Sequence, residues 1–427
     1  MTLLSAVITK RLQLHVHSVT WFVTAILIVV LFATSARRSI TLFDLDAAAF
    51  AADRLAHEAD ADRICQVYSA LRVAVGRTPA PLRGLARGLD DALPAYAIIR
   101  GDFGPTTLTS RQATPISSSL PLEPSQVAGL FGSLLALLVT CDTVGKEREQ
   151  GTLQLVLSYP VRRSIILLGE YIAAMLVVLA PIVLCVILFL AVSAVTGRIA
   201  LDGSVFLGVA MFIITLALLI STATVTGLMI TSLVRSSTTA LTIGLFIWAM
   251  FAVVYPALAP SLTRLMAPVD SIASPESSDT LTKYLRKAGA TTAGTRATER
   301  LLQQRMAQAA VFHRLAFLSP YSLYLESADS STGTSLSSYS TFIAATERVA
   351  AQFNRWEADK LRQYPTRGTS YDMTDLPLDI TGRVANEVTV ASPQIGDAAA
   401  AILVLVLWNI GIFSAAHVGF ARYDPRA

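Results

Sequence analysis

The stretch DTVGKEREQGTLQLVLSYPVRR, Asp142 to Arg163, separates two apolar runs, and its reading decides the fold. Charges gather at its front in KERE, Lys146 to Glu149, and Leu153, Val156 and Leu157 follow at i, i+3 and i+4. Tyr159-Pro160 stops the pattern, because the residue before a proline disfavours the helical region. The spacing predicts a short amphipathic helix, Lys146 to Leu157, lying at an inner membrane face. Ser164 fits as the N-cap of the next span, with Arg162 and Arg163 at headgroup level. An ordinary basic loop accounts for the Lys and Arg residues alone. Asp142, Glu147 and Glu149 mixed among them exceed what topology needs and point to a protein surface as partner.

Composition supports a membrane setting on both sides of this stretch. Hydrophobic residues make up 53% of the 427 and charged residues 15%, whereas soluble globular chains carry about 25% charged residues. Runs near the ~20 residues that cross a bilayer occur at 18–35, 125–140, 165–196, 204–234, 237–258 and 398–420. A cleaved signal peptide competes for the first, given its basic head and small residues, but its apolar core is at the upper limit for one. The expected fold class is an all-α polytopic membrane protein of six transmembrane helices.

Short loops that keep Lys and Arg mark the cytoplasmic side. Lys10, Arg11, Lys146, Arg148, Arg162, Arg163, Arg235, Arg422 and Arg426 all fall on one side of a six-span arrangement. Arg37 and Arg38 oppose this, but a large segment follows them and weakens their vote. The expected layout is therefore a cytoplasmic N-terminal segment (1–17), a cytoplasmic loop (141–164) and a cytoplasmic tail (421–427). Two exterior segments, 36–124 and 259–393, are expected to pack as one mainly helical domain with minor β structure. In the first, Ile64, Val67, Tyr68, Leu71 and Val75 recur at helical spacing, before β-like runs around AYAIIR. In the second, Tyr339, Phe342, Ile343, Thr346, Val349, Phe353 and Trp356 trace a stripe best read as helix packing. Leu281, Tyr284, Leu285, Leu301, Leu302, Met306 and Ala309 suggest a further helical pair ending at Ser319-Pro320.

The search for chemistry is mostly negative. His57-Glu58 begins an HExxH motif, but Ala61 stands where the second His belongs. His15 and His17 sit in a basic head where headgroup contact is the plainer reading. Of Cys65, Cys141 and Cys185 only the first is exterior, so no exterior disulfide framework forms. Gly129 and Gly132-Ser133 lack nucleophile-elbow spacing. Gly145-Lys146 lacks the first glycine and the final Ser or Thr of a phosphate-binding loop, so the chain itself is not expected to hydrolyse ATP. Neither catalytic, cofactor-binding nor metal residues are assigned. Within the spans, Glu170, Thr222, Thr226 and Asn409 form a candidate polar site. Helix–helix hydrogen bonding is the plainer role for Thr222, Thr224, Thr226 and Asn409, and headgroup reach for Glu170. Pro181 is expected to kink the third span.

EREQGTLQLVLSYPVRRSIILLGEYIA resembles the signature of ABC-2 type exporter permeases: an acidic-basic run, Gly-Thr-Leu, a Leu-Ser-x-Pro turn and arginines before a span. The matching residues are Glu147, Arg148, Glu149, Gly151, Thr152, Leu153, Leu157, Ser158, Pro160, Arg162, Arg163 and Gly169; Glu170 departs from the Lys of many relatives. TPAPLRGLARGLDDALPAY and FLSPYSLYLESADSSTGTSLSSYSTFIAATERVAAQF are similar to a sub-family with enlarged exterior domains, described as linked to multicopper-enzyme maturation or gliding motility. Copper finds little support, because His57, His313, Cys65, Met266, Met306 and Met373 form no local ligand cluster. The resemblance implies a permease subunit of an ATP-driven exporter in a bacterial plasma (inner) membrane, both termini cytoplasmic. Lys146, Glu147, Arg148, Glu149, Gly151, Thr152, Leu153, Leu157, Pro160, Arg162 and Arg163 would couple it to a separate ABC ATPase subunit holding ATP and Mg. A second permease chain, the lipid bilayer and a periplasmic or extracellular protein are the other expected partners; nucleic acid is not. Two alternatives stand beside this: a membrane scaffold that passes mechanical force to an envelope partner without transporting a solute, and an intramembrane enzyme, for which no catalytic pair is found.

Overall fold

The computed structural model describes residues 3–64, 72–88, 90, 94–100, 107–110, 122–149, 163–234, 236–268, 304, 307–308, 310–363 and 393–421. Its long helices are α1 (Leu3–Val16), α2 (Val19–Ile64), α3 (Pro124–Glu149), α4 (Arg163–Val195), α5 (Gly203–Leu233), α6 (Ser237–Ala249), α7 (Tyr255–Met266), α8 (Pro320–Thr332), α9 (Leu336–Gln363) and α10 (Ile395–Ala421). Among the described residues, Trp21–Ala52, Pro124–Cys141, Ser164–Val195, Gly203–Leu233, Ser237–Met266 and Ile395–Gly419 are long and apolar enough to cross a membrane. The chain is an all-α polytopic membrane protein.

Helix boundaries differ from the sequence reading where no residue stops the helix. The chain from Ala36 to Ile64 contains neither Gly nor Pro and is rich in alanine, so α2 runs for 46 residues, well past the expected end at Ser35. Similarly, α3 runs past Thr140 to Glu149. Arg163 is already helical, which puts Ser164 inside the first turn of α4 and not at its N-cap. Asp202 does cap α5, accepting from Val205 N at 2.9 Å.

The fifth span is joined end to end, with a π-helical turn, Met250–Val254, between α6 and α7. Tyr255 N–H donates to Met250 O across this wider turn. In the same register the carbonyl of Phe251 would look to Pro256, which has no N–H. Ser319 Oγ donates to it instead at 2.8 Å, and Tyr255 OH donates to Leu315 O. The same Ser319 caps α8, whose first residue is Pro320. Thus Ser319-Pro320 starts a helix as well as following one, residues 310–316 being helical. The rest of the suggested helical pair lies largely outside the described residues.

A packed core joins the spans. Ile28 and Phe32 of α2, Val127 and Ala136 of α3, Val178 and Val186 of α4, and Phe212 and Ile220 of α5 are buried together. Close approach depends on small residues. A Cβ on Gly227 would lie 2.2 Å from Thr140 Oγ1, and one on Gly132 2.9 Å from Ile182 Cδ1.

Beyond the spans lies a small insert domain. Strands β1 (Arg72–Gly76), β2 (Pro94–Arg100) and β3 (Thr107–Ser110) form an antiparallel sheet in the order β1-β2-β3, with Val73 opposite Ile99 and Val75 opposite Ala97. Val73 and Val75 alternate with smaller or polar neighbours, so the local period is two and Val75 belongs to a strand, not to the helical face proposed for it. Its buried side packs on α9, where Tyr339, Phe342, Val349 and Phe353 form one cluster with Val73, Val75, Ala97 and Ile99, flanked by Ile343 and Trp356. The aromatic stripe is a packing face, and the two inserted segments meet through it.

Candidate functional site

Charges from the opening stretch lie at the end of a span helix. Lys146, Glu147, Arg148 and Glu149 occupy the last turn of α3, whose backbone is helical without a break from Pro124. Arg163 begins α4. Gly151, Thr152, Leu153, Leu157, Pro160 and Arg162 lie outside the described residues. KERE therefore continues the second span and does not open a separate helix.

Two turns into α4, Glu170 is only 2% exposed. Its partners come from α1, which lies against the start of α4. Arg11 Nε stands 3.0 Å from Glu170 Oε2 as an ion pair, and His15 Nε2 lies 3.1 Å from Oε1. Arg11 and His15 are themselves 5% and 4% exposed. The helices approach this closely because position 169 is glycine: a Cβ there would sit 2.6 Å from Val7 Cγ1. Trp21 Nε1, just into α2, donates to Val177 O at 3.2 Å and fixes the α1–α2 elbow to the same helix. The headgroup readings for Glu170 and His15 are thus corrected. A carboxylate that starts an apolar span is stabilised by a cation and a hydrogen-bond partner on a neighbouring helix, and α1 supplies Arg11 and His15. His17, by contrast, is exposed, and its Nδ1 bonds to Gln13 O at 2.8 Å.

The residue after Glu170 opens a second polar group. Tyr171 OH donates to Ser221 Oγ at 2.7 Å, and Ser221 donates to Asn409 Oδ1 at 2.5 Å. Asn409 Nδ2 donates to Thr222 Oγ1 at 2.9 Å and to the carbonyls of Leu405 and Leu218 at 2.8 and 3.1 Å. Tyr171 also meets Phe413 edge to face, with ring centroids 6.0 Å apart. Helices α4, α5 and α10 are pinned together at one level by this group. Thr226 does not join it; its hydroxyl donates back to Thr222 O at 2.7 Å. Thr224 likewise bonds to Ile220 O at 2.8 Å.

The four intramembrane candidates therefore separate. Thr222 and Asn409 meet, Thr226 supports its own helix, and Glu170 belongs to the α1 clamp. Arg11, His15, Tyr171 and Ser221 are the residues that the sequence reading missed. A lone carboxylate in an apolar run signals that a cation must be near, but His15 is 155 residues away in sequence and no local spacing reveals it. The arrangement holds no nucleophile paired with a base. Among the described residues, no group of three or more His, Cys, Asp or Glu side chains could hold a metal ion. The arrangement ties α1 and α2 to α4 through Glu170 and Val177, and α4 to α5 and α10 through Tyr171, Ser221 and Asn409.

Residues 16–425 match the family model described as ABC-2 family transporter protein. No curated protein matches the chain. The family match covers every span, Glu170 and the polar group, and leaves Arg11 and His15 of α1 outside it at the N-terminal end.

Proposed function

We propose, for a chain that belongs to the ABC-2 family of transporter proteins, that it is the permease of an ATP-driven exporter and that KERE at the end of α3 receives the ATPase. Family membership makes the chain a component of an ABC transporter and implies an ABC ATPase subunit as partner. The further steps are ours. ATP and Mg reside in that separate subunit, while this chain performs no hydrolysis. The observation that carries the reading is the unbroken helix from Pro124 to Glu149, which joins a charged tip to a membrane span.

Under this reading both termini and residues 141–164 face the cytoplasm of a bacterial plasma membrane, and the insert domain faces outward. A second permease chain completes the path, and substrate leaves outward as paired permeases alternate between two arrangements. Closure of two ATPases pushes on α3 and on the residues leading into α4. Glu170 then matters because Arg11 and His15 hold α1 to the part of α4 that moves first. Coupling of this kind needs a rigid connection with two states. Buried ion pairs supply rigidity at a desolvation cost, which favours a functional reason for keeping them in a span.

Co-purification from detergent tests the partner. The tagged chain, co-expressed with the candidate ATPase, is expected to bring it down, and Glu147→Ala/Glu149→Ala is expected to lose the complex or its regulated turnover with unchanged membrane insertion. An intact, equally regulated complex in the variant sinks the assignment of KERE.

A further inference from the structure

Residues 77–88 and Asp90 do not lie on the surface as loops usually do. Ala80, Leu85 and Ala86 are fully buried, and Leu82 and Arg83 are each 2% exposed. Leu82, Leu85 and Ala86 belong to the same cluster as Phe32, Val127, Phe189 and Phe212 of the spans. Gly84 presses on Phe189 of α4, where a Cβ would come within 2.6 Å of the ring. On α5, Gly208 lets Leu82 and the Ser331 carbonyl approach, with a Cβ predicted 2.8 and 2.5 Å from them.

Polar contacts lock this segment from the other sides. Arg83 bridges Asp46 of α2 at 2.7 Å and Asp90 at 3.2 Å, and Asp90 meets Arg77 at 2.5 Å. Arg77 continues to Gly333 O at 3.0 Å and Ser338 Oγ at 3.3 Å, at the start of α9. The Thr332 and Thr334 hydroxyls, 3.0 Å from each other, both lie 3.3 Å from Ala86 O, and Ser125 N donates to Leu85 O at 3.0 Å. The helix α8 wedges beside it, with Tyr324 OH donating to Ser125 O at 2.8 Å over Gly129. A hinge needs a few residues free to absorb large backbone changes. At this boundary the positive-φ residue Gly88 is packed against the Asp329 carboxyl, and α2 crosses as continuous helix.

We propose that residues 77–88 with Asp90, together with α8, form a rigid joint that carries span movement into the insert domain, so that the chain delivers mechanical displacement to the outer side of the membrane. Close-packed interiors transmit strain because they deform little. The joint binds α2, α3, α4 and α5 on one side and, through Arg77 and Ser338, the α9–sheet body on the other. Rotation of the spans then rotates that body with them. This inference rests on the ATP-driven reading above, which supplies the movement.

Pulsed electron–electron distance measurements on the chain with its bound ATPase test it. The native cysteines are replaced by alanine, and labelled copies are diluted with unlabelled ones. One pair, Val195→Cys with Ala351→Cys, spans the joint; a second, Lys10→Cys with Leu233→Cys, reports on the inner ends of the helices. All four positions are exposed, so labelling does not disturb the packing. The joint predicts that ATP with vanadate shifts the second distance and leaves the first unchanged. It further predicts that Thr332→Val/Thr334→Val broadens the first distribution. A first distance that shifts or broadens with nucleotide in the unmodified joint shows a hinge and overturns the proposal. No response in either pair, with the ATPase bound, overturns the ATP-driven reading and this inference with it.

Discussion

Replacing Glu170 with alanine removes the anion from a buried cluster and leaves the Arg11 guanidinium behind. Arg11 and His15 approach the carboxylate to 3.0 and 3.1 Å, and all three side chains are no more than 7% exposed. Two unit charges at that distance attract by roughly 5 kcal/mol at an effective dielectric near 20. Desolvation offsets much of this in the intact pair, but a buried guanidinium left unpaired costs about 3–5 kcal/mol. Glu170→Ala is therefore expected to destabilise by about that amount in reversible unfolding from mixed detergent micelles, followed by helix signal. Arg11→Ala/Glu170→Ala removes both charges and is expected to cost less than the two single changes summed, by about 1–3 kcal/mol. Glu170→Gln keeps an acceptor for His15 and falls between. A cost under about 1 kcal/mol for Glu170→Ala, or strict additivity in the double variant, refutes the clamp.

Asn409→Leu removes the donor and acceptor at the centre of the α4–α5–α10 group. Because Thr222 already donates to Leu218 O at 2.8 Å, the expected loss is modest, about 0.6–1.7 kcal/mol in the same unfolding assay. Ser319→Ala strips both the α8 cap and the donor to Phe251 O, and about 1–2 kcal/mol is expected from the lost cap. The proximity of label sites on α7 and residues 310–316 should loosen with it. On α8, burial followed by the nearby carboxylates of Glu123, Glu326 and Asp90 pushes Asp329 well above the usual carboxylate range. Burial likewise raises Glu326, against the lowering effect of His313. A carboxyl that holds its proton more tightly when folded makes folding less favourable as pH rises from its unfolded value through its folded one. Thermal stability should accordingly increase as pH falls from neutral toward about 5, and Asp329→Asn should flatten that slope and raise stability at neutral pH. A slope unchanged by the substitution would contradict the assignment.

Spans are legible because an apolar run of bilayer length has few other uses, and the match of α5 to 204–234 is within a residue at each end. Stops are less legible where propensity alone decides. Nothing in ARRSITLFDLDAAAFAADRLAHEADADRI forces α2 to end, yet a hydropathy reading ends it where the apolar run ends. Val75 failed for a different reason: a single apolar residue fits periods of both 3.6 and two, and only pairing with Ala97 decides. The stripe from Tyr339 to Trp356 was readable because seven positions agree on one period. At the candidate site, Glu170 and Asn409 stood out as polar residues in oily runs. Their partners Arg11, His15 and Ser221 lie 155 to 188 residues or so away, beyond any pattern a helix repeats. The ion pairs of Arg77 and Arg83 with Asp90 and Asp46 are made only in three dimensions, so no local spacing in that proline- and glycine-punctuated stretch reveals its burial.

The central claim is that the tip of α3 touches the ATPase, and a photo-crosslinking amino acid at Glu149 tests it most directly. In membranes that also contain the candidate ATPase, irradiation is expected to yield an adduct of the two chains whose amount changes when ATP and vanadate are added. A probe at exposed Ala351 on α9 should give no such adduct. If position 149 couples only to lipid or to another copy of this chain while the ATPase remains bound, the coupling account is contradicted.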